Sequence, residues 1–183
     1  MTDIWIVRHG EAAASWEADP DPALSELGRS QAEATSLALL ELLPVDVSII
    51  SSPLRRAQET ADALATKMQK PVAIDARFSE VRSPVPLSER KDWLRNFMQQ
   101  DWTEQTEDLW SWRKDIVAGL TACQGPTVVF CHFLVINAVV AHISDSDKVL
   151  QCWPANASFH HFALDAGKLS LLELGQQMDS VVN

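Results

Sequence analysis

No run of 18 apolar residues occurs in the chain, so it carries no sequence able to cross a bilayer as a helix. The N-terminus lacks a basic stretch leading into a long apolar one, the mark of an export signal, and the cytoplasm is the expected compartment. Cysteine is scarce. Cys123, Cys131 and Cys152 are odd in number and irregular in spacing, which argues against a disulfide framework and supplies no paired C-x-x-C for zinc. No H-E-x-x-H is present either, so neither a metal nor a cofactor is expected. A P-loop needs G-x-x-x-x-G-K-[ST], which is absent. A cysteine phosphatase needs arginine six residues after its nucleophile. Val129, Asn137 and Ser158 stand there instead. Asp19-Pro20-Asp21 does not end an apolar strand, so it reads as a loop rather than an aspartyl nucleophile.

Positive charge is also in short supply. Fifteen Lys and Arg face 25 Asp and Glu, for a net charge of −10. Such a surface repels phosphate backbones and anionic lipid, so neither nucleic acid nor membrane is an expected partner. An anionic ligand would require positive charge gathered locally. The sequence does gather it, in Arg8-His9, Arg55-Arg56, Arg90-Lys91 and Arg113-Lys114.

At 183 residues, with 46% apolar and 22% charged residues, the chain 1–183 fits one domain of ordinary size. Short apolar strands are expected at Ile4–Val7, Val45–Ile50, Pro71–Ile74 and Thr127–Cys131. A helix is expected from Ser25 to Leu43, with Ser25 as N-cap and Leu37, Leu40 and Leu43 at helical spacing. Further helices fit 53–68, 87–100, 104–123 and 134–142. Residues 82–86, with two prolines, read as irregular. Ser158–Leu164 and Leu169–Leu174 around Asp165-Ala166-Gly167 read as a hairpin. Strands alternating with helices imply an α/β fold, a three-layer α/β/α sandwich on a mostly parallel central sheet. Ligands of such sheets bind at the carboxyl ends of the strands.

Those ends are where chemistry-bearing residues fall. Strand one ends in Arg8-His9, strand two runs into Ser51-Ser52-Pro53-Leu54-Arg55-Arg56, Glu80 follows strand three, and strand four ends in His132. Arginine forks bind phosphate oxygens bidentately. A neutral imidazole can attack phosphorus, and a carboxylic acid can protonate the leaving oxygen. The grouping suits an enzyme acting on phosphate esters.

In order along the chain, "VRHGE", "LSELGRSQA", "SSPLRRAQETA", an acidic residue and an apolar strand ending in His resemble the histidine phosphatase superfamily, the phosphoglycerate-mutase-like group. The resemblance spans nearly the whole chain. It implies a phosphoglycerate-mutase-like fold and a phosphohistidine intermediate on His9. It implies a phosphate pocket of Arg8, Arg56 and His132, with Glu80 as proton donor. Arg55 then falls at the variable position, facing outward. Glu89 and Glu104 are rival acids, and Glu11 is expected to act only through supporting bonds.

Two departures from the pattern carry expectations. The second histidine is normally followed by Gly, and here Phe133 follows. Its N–H is a candidate phosphate contact and its ring is expected to narrow or re-aim the pocket. Mutase members usually carry Trp-Asn soon after RHGE, where this chain has Ala14-Ser15 and then Trp16. Ser15 is a candidate substrate contact, but the change argues against a mutase. Residues 81–107 are expected to form a lid-like insertion over the site, with Arg82, Trp93 and Trp102 as possible substrate neighbours. His142 falls on a presumed core helix, and His160 and His161 point to opposite faces of the hairpin. The preferred function is a metal-independent phosphomonoesterase acting on a small phosphorylated metabolite or a phosphoprotein. A bisphosphate-primed mutase and a non-catalytic phospho-ligand module are the alternatives. Oligomeric state is not encoded visibly.

Overall fold

Ile4, Trp5, Ile6 and Val7 are all buried, as a strand covered on both faces requires. They lie in β1 (Thr2–Arg8), the inner strand of a six-stranded sheet in the computed structural model, which describes residues 1–14 and 19–179. The other strands are β2 (Ser48–Ser51), β3 (Val72–Ile74), β4 (Thr127–Cys131), β5 (Phe159–Asp165) and β6 (Lys168–Glu173). Their order is β3-β2-β4-β1-β5-β6. The first four are mutually parallel, and β5 and β6 add an antiparallel edge. The hairpin between them turns on Ala166 and Gly167, both at positive φ.

Period two along β1 divides the core. Ile4 and Ile6 pack with α3 (Arg90–Gln99), α4 (Glu107–Thr121) and α5 (Phe133–Ile143) on one face. Trp5 and Val7 pack with α1 (Glu26–Leu42) and α2 (Arg55–Met68) on the other. Helices on both faces of a mostly parallel sheet are the layering the sequence implies.

The elements depart from expectation at their edges and in one face. The strand expected from Val45 begins at Ser48, because Pro44–Val47 closes a turn through Val47 N–H to Pro44 O (3.1 Å) and leaves Val45 exposed. Helix α2 starts at Arg55 because the Ser52 hydroxyl accepts from Leu54 N–H (3.2 Å) and holds Pro53-Leu54 in a turn. The expected helices over 87–100 and 104–123 are each shortened by 3₁₀ turns, Leu87–Glu89 and Trp102–Glu104. In α1, Leu37 and Leu40 are 53% and 37% exposed, while Gly28, Ala32, Ser36 and Leu39 are buried. The packed stripe is made of small residues, because α1 lies close against α2 and against the loop after β1.

That closeness positions the site. A Cβ on Gly28 would fall 2.1 Å from Glu11 O, and one on Gly10 would fall 2.5 Å from Gly28 O. Ser25 caps α1 by accepting from Gly28 N–H (2.9 Å) and donates to Glu11 Oε1 (2.7 Å). Glu11 N–H donates to Gln31 Oε1 (2.8 Å). The loop carrying His9-Gly10-Glu11 is therefore clamped to the start of α1.

Inside an ordinary helix, Gly→Ala is stabilising by about 1 kcal/mol. Gly28→Ala is expected to have the opposite sign, destabilising by roughly 1–3 kcal/mol, because the new methyl meets backbone that cannot yield. Urea unfolding at pH 7 measures it, and an unchanged or higher midpoint would refute the contact.

Candidate active site

Register brings the strand ends together. Arg8 pairs with Cys131, so the next residues, His9 and His132, become neighbours with ring centroids 5.2 Å apart. His9 N–H continues the ladder to Cys131 O (3.0 Å), and Ser52 N–H bonds Phe130 O (2.9 Å). Helix α2 then delivers Arg56 from its first turn, and the 3₁₀ turn Ala76–Phe78 after β3 delivers Glu80. His9, Arg56, Glu80 and His132 are only 6%, 3%, 4% and 0% exposed.

The His9 ring is fixed in one tautomer. Its Nδ1 lies 2.6 Å from Gly10 O, an acceptor only, so Nδ1 carries the proton. Nε2 keeps its lone pair and accepts from Arg56 Nε (3.1 Å). Burial, then the Arg56 and Arg8 charges, push the His9 pKa well below the ordinary imidazole value, against the opposing pull of Gly10 O. Burial, then the His9 ring and the neighbouring arginines, do the same to His132. The Nε2 of His132 lies 2.7 Å from Ser52 Oγ.

The guanidinium groups are incompletely satisfied. Arg8 donates through Nη1 to Pro154 O (2.7 Å) and lies 3.4 Å from Met178 Sδ, with its Cζ 5.2 Å from the Phe133 ring centre. Its Nε, and Nη1 of Arg56, are buried without a hydrogen-bond partner among the described residues. Burial lowers both pKa values, that of Arg8 to about 10. Buried N–H groups of this kind call for an acceptor. A tetrahedral oxyanion, with several lone pairs per oxygen, fits donors converging beside a neutral imidazole.

Glu80 completes the set. Its Oε1 accepts from Val81 N–H (3.0 Å) and its Oε2 from Leu134 N–H (3.2 Å) in the first turn of α5. Burial raises its pKa nonetheless, outweighing those two bonds and the Arg56 and Arg90 charges.

A sequence model of the histidine phosphatase superfamily (branch 1) matches residues 4–177. The chain belongs to the histidine phosphatase superfamily. A glucosyl-3-phosphoglycerate phosphatase of Mycolicibacterium vanbaalenii is 40% identical over 79 residues, 41% of this chain and 34% of that protein. The mitochondrial serine/threonine-protein phosphatase Pgam5 of Drosophila melanogaster is 34% identical over 85 residues, 45% of this chain and 29% of that protein. The matched stretches thus span about a third of these relatives' lengths. In structure, the chain resembles a mycobacterial glucosyl-3-phosphoglycerate phosphatase in complex with VO3. The TM-score is 0.73 at 24% identity, over 94% of this chain and 98% of the other.

Within this superfamily member, several flanking residues lie as the motif suggests. Arg55 is exposed and bonds Glu59 (2.9 Å), on a different bearing from Arg56. The Glu11 carboxylate accepts from Ser25 Oγ (2.7 Å) and its N–H donates to Gln31 Oε1 (2.8 Å), which ties the loop after His9 to α1. Arg82 is exposed in the irregular stretch. Trp93 stacks on Phe97 (5.1 Å) and lines a cavity of about 740 Å³ whose wall includes Glu80 and Trp112. Trp102, in contrast, is buried against Trp110 and the Arg113 guanidinium, so it belongs to the core. Of the rival acids, Glu89 is exposed, and Glu104 lines the same cavity as Glu80 but accepts from Asp101 N–H (2.8 Å). The Phe133 ring packs on Trp153 (5.6 Å) and Arg8, buttressing the arginine. Ser15 lies outside the described residues. Helix α5 is a core helix, and His142 is an exposed residue of its last turn. His161 bonds Asp3 (2.8 Å) and stacks on Trp5 (4.8 Å), while His160 is buried on the opposite face.

Two contributors were missed. Arg90, read only as half of a basic pair, sends its guanidinium to Val81 O (2.9 Å) and Ser83 Oγ (3.3 Å), with its charge facing Glu80. The 153–158 loop and residues 175–178 form the wall behind Arg8. Here Met178 N–H bonds Trp153 O (2.7 Å), and His160 Nδ1 accepts from Gly175 N–H (2.9 Å).

Burial holds His9 and His132 neutral and pushes His160 down to about 4. All three bind a proton more readily in the unfolded chain. Stability is therefore full above the unfolded value near 6.5 and is lost as pH falls below it, with Glu80 opposing because its pKa is raised. For His160 alone the loss between pH 7 and pH 5 is on the order of 2 kcal/mol. The urea midpoint is expected to fall over that interval, and to fall less in His160→Gln. Equal slopes in the two proteins would contradict the buried neutral imidazole.

Proposed function

We propose that this chain is a phosphomonoesterase that works through a phosphohistidine on His9. The observation that carries the reading is the neutral His9 ring, Nδ1–H on Gly10 O and Nε2 unprotonated with its lone pair toward Arg56 Nε, set among buried guanidinium N–H groups that need an acceptor. Phosphate oxygens held by Arg8, Arg56 and His132 would place phosphorus against Nε2.

The Nε2 lone pair attacks phosphorus, the bond from phosphorus to the ester oxygen breaks, and Glu80 gives that oxygen its proton. Gly10 O stabilises the charge left on the imidazole through Nδ1–H. Water then attacks phosphorus with Glu80 taking its proton, the P–N bond breaks, and inorganic phosphate leaves with His9 neutral again. Negative charge developing on the equatorial oxygens falls where the arginines already point. The residue types in the pocket need no metal ion. Residues 81–107 serve as the lid over this site.

Relatives named for glucosyl-3-phosphoglycerate and for protein serine/threonine phosphatase activity support a phosphate monoester, on a metabolite or a protein, as the substrate class. The structural neighbours include a phosphoserine phosphatase of Entamoeba histolytica, with a TM-score of 0.74. Acid at Glu80 and base at His9 set opposite limbs of the rate profile. Activity needs His9 unprotonated, and its lowered pKa allows this below the ordinary imidazole range. It needs Glu80 protonated, and its raised pKa extends this above the ordinary carboxylate range.

The test is turnover of 4-nitrophenyl phosphate and a panel of alkyl phosphates, with EDTA present. Wild type is expected to hydrolyse several, and His9→Ala to keep its fold while retaining under about one per cent of the rate. No turnover by wild type, or substantial turnover by His9→Ala, would overturn the reading.

Arg55 and Arg56 give a sharper comparison, because neighbours on a helix point about 100° apart. Arg56→Ala is expected to cost on the order of a hundredfold in kcat/KM, as for loss of a donor to a transferring group. Arg55→Ala is expected to cost less than about tenfold, as for an exposed steering charge. A larger loss for Arg55→Ala would shift the phosphate contact by one residue.

A further inference from the structure

We propose that Arg90 is a positioning residue that sets the proton affinity of Glu80 from the segment over the site. This rests on the reading of Glu80 as the proton donor. The geometry is a relay through one peptide unit on each side of Val81. Val81 N–H donates to Glu80 Oε1 (3.0 Å), and Val81 O accepts from Arg90 Nη2 (2.9 Å). Arg90 Nη1 reaches Ser83 Oγ (3.3 Å), so the guanidinium grips the irregular chain at two points. Val81 is fully buried. The residue whose N–H holds the carboxyl is thus itself held, through its carbonyl, by the first residue of α3.

Electrostatics act in the same place. The charges facing Glu80 are Arg8 from β1, Arg56 from α2 and Arg90 from α3. From β4 comes Cys131, a thiol that burial keeps protonated. The N–H groups of Val81 and Leu134 add partial positive charge. Arg8 and Arg56 face the phosphate position, so a bound dianion offsets their effect on Glu80. Arg90 is committed to Val81 O and Ser83 Oγ, and its charge persists through the cycle. Glu80 must release a proton in one half-reaction and take one in the next. Burial alone drives it toward the protonated form. A standing cation brings its affinity back to where both forms are accessible.

The experiment is the pH dependence of kcat/KM for phenyl phosphate, a poor leaving group that needs the acid, in wild type, Arg90→Lys, Arg90→Gln and Glu80→Gln. Removing a cation disfavours the carboxylate, so Arg90→Gln is expected to move the alkaline limb up by roughly one pH unit and leave the acid limb in place. Arg90→Lys is expected to keep the wild-type limb. Lower kcat/KM in Arg90→Gln with both limbs unmoved, or an alkaline limb moved down, would overturn the proposal. ¹³C NMR titration of the Glu80 carboxyl in free Arg90→Gln and Arg90→Lys reads the same shift without turnover, should the Gln variant be too slow to assay. Glu80→Gln separates the two levels of the argument. If it keeps the alkaline limb, Glu80 is not the donor; if it loses the limb while Arg90→Gln leaves it unmoved, only the role of Arg90 fails.

Discussion

Three guanidinium groups are gathered at one edge of the sheet around the buried carboxyl of Glu80. Burying charge without a partner is costly. The surrounding structure is organised around that cost. Arg8 Nε and Arg56 Nη1 have no hydrogen-bond partner among the described residues, and the imidazoles respond by staying neutral. Under the proposed function, the same imbalance would favour a bound dianion.

Stiff supports surround the residues at these strand ends, and α1 and α2 supply them. On the α1 side, Gly10 and Gly28 let backbone approach backbone, and Gly10 N–H reaches Thr60 Oγ1 (3.1 Å), whose own proton goes to Arg56 O (2.7 Å). One threonine thereby links the loop after His9 to the turn of helix carrying Arg56. Also against α1, Ala157 at φ 57° donates its N–H to His9 O (3.1 Å), while its own carbonyl accepts from Thr35 (2.7 Å). A left-handed alanine is strained, and its position beside His9 shows where the backbone is most tightly specified.

The parts legible in the sequence were those whose signal is local. Arg-His-Gly ending an apolar run declares a strand end with chemistry on it, and alternation of strands and helices declares the layers. The buried face of α1 was legible only in part: Leu43 packs as expected, but Leu37 and Leu40 are exposed and Leu39 is buried in their stead. Gly28, Ala32 and Ser36 carry the rest of the contact, and hydrophobicity does not single them out. Arg90 was hidden for another reason. Its partners Val81 and Ser83 lie on a proline-containing path that no periodicity describes. The wall behind Arg8 was hidden by distance, since its contact with Pro154 spans 146 positions.

Phe133 shows how the local and the distant meet. A glycine after the second histidine would leave space beside Arg8. A phenyl ring in that place is buried, lies edge-on to Trp153 and presents its face to the guanidinium. Arginine is weakly hydrated and stacks well on aromatic faces, so the ring replaces water without demanding a hydrogen bond. Arg8 is then confined from three directions by Phe133, Pro154 O and Met178 Sδ. A donor confined in this way needs little reorganisation when an anion arrives, which is what an electrostatic pocket requires of its donors. The residue that stands where the family pattern has glycine thus acts, in the fold, on the arginine.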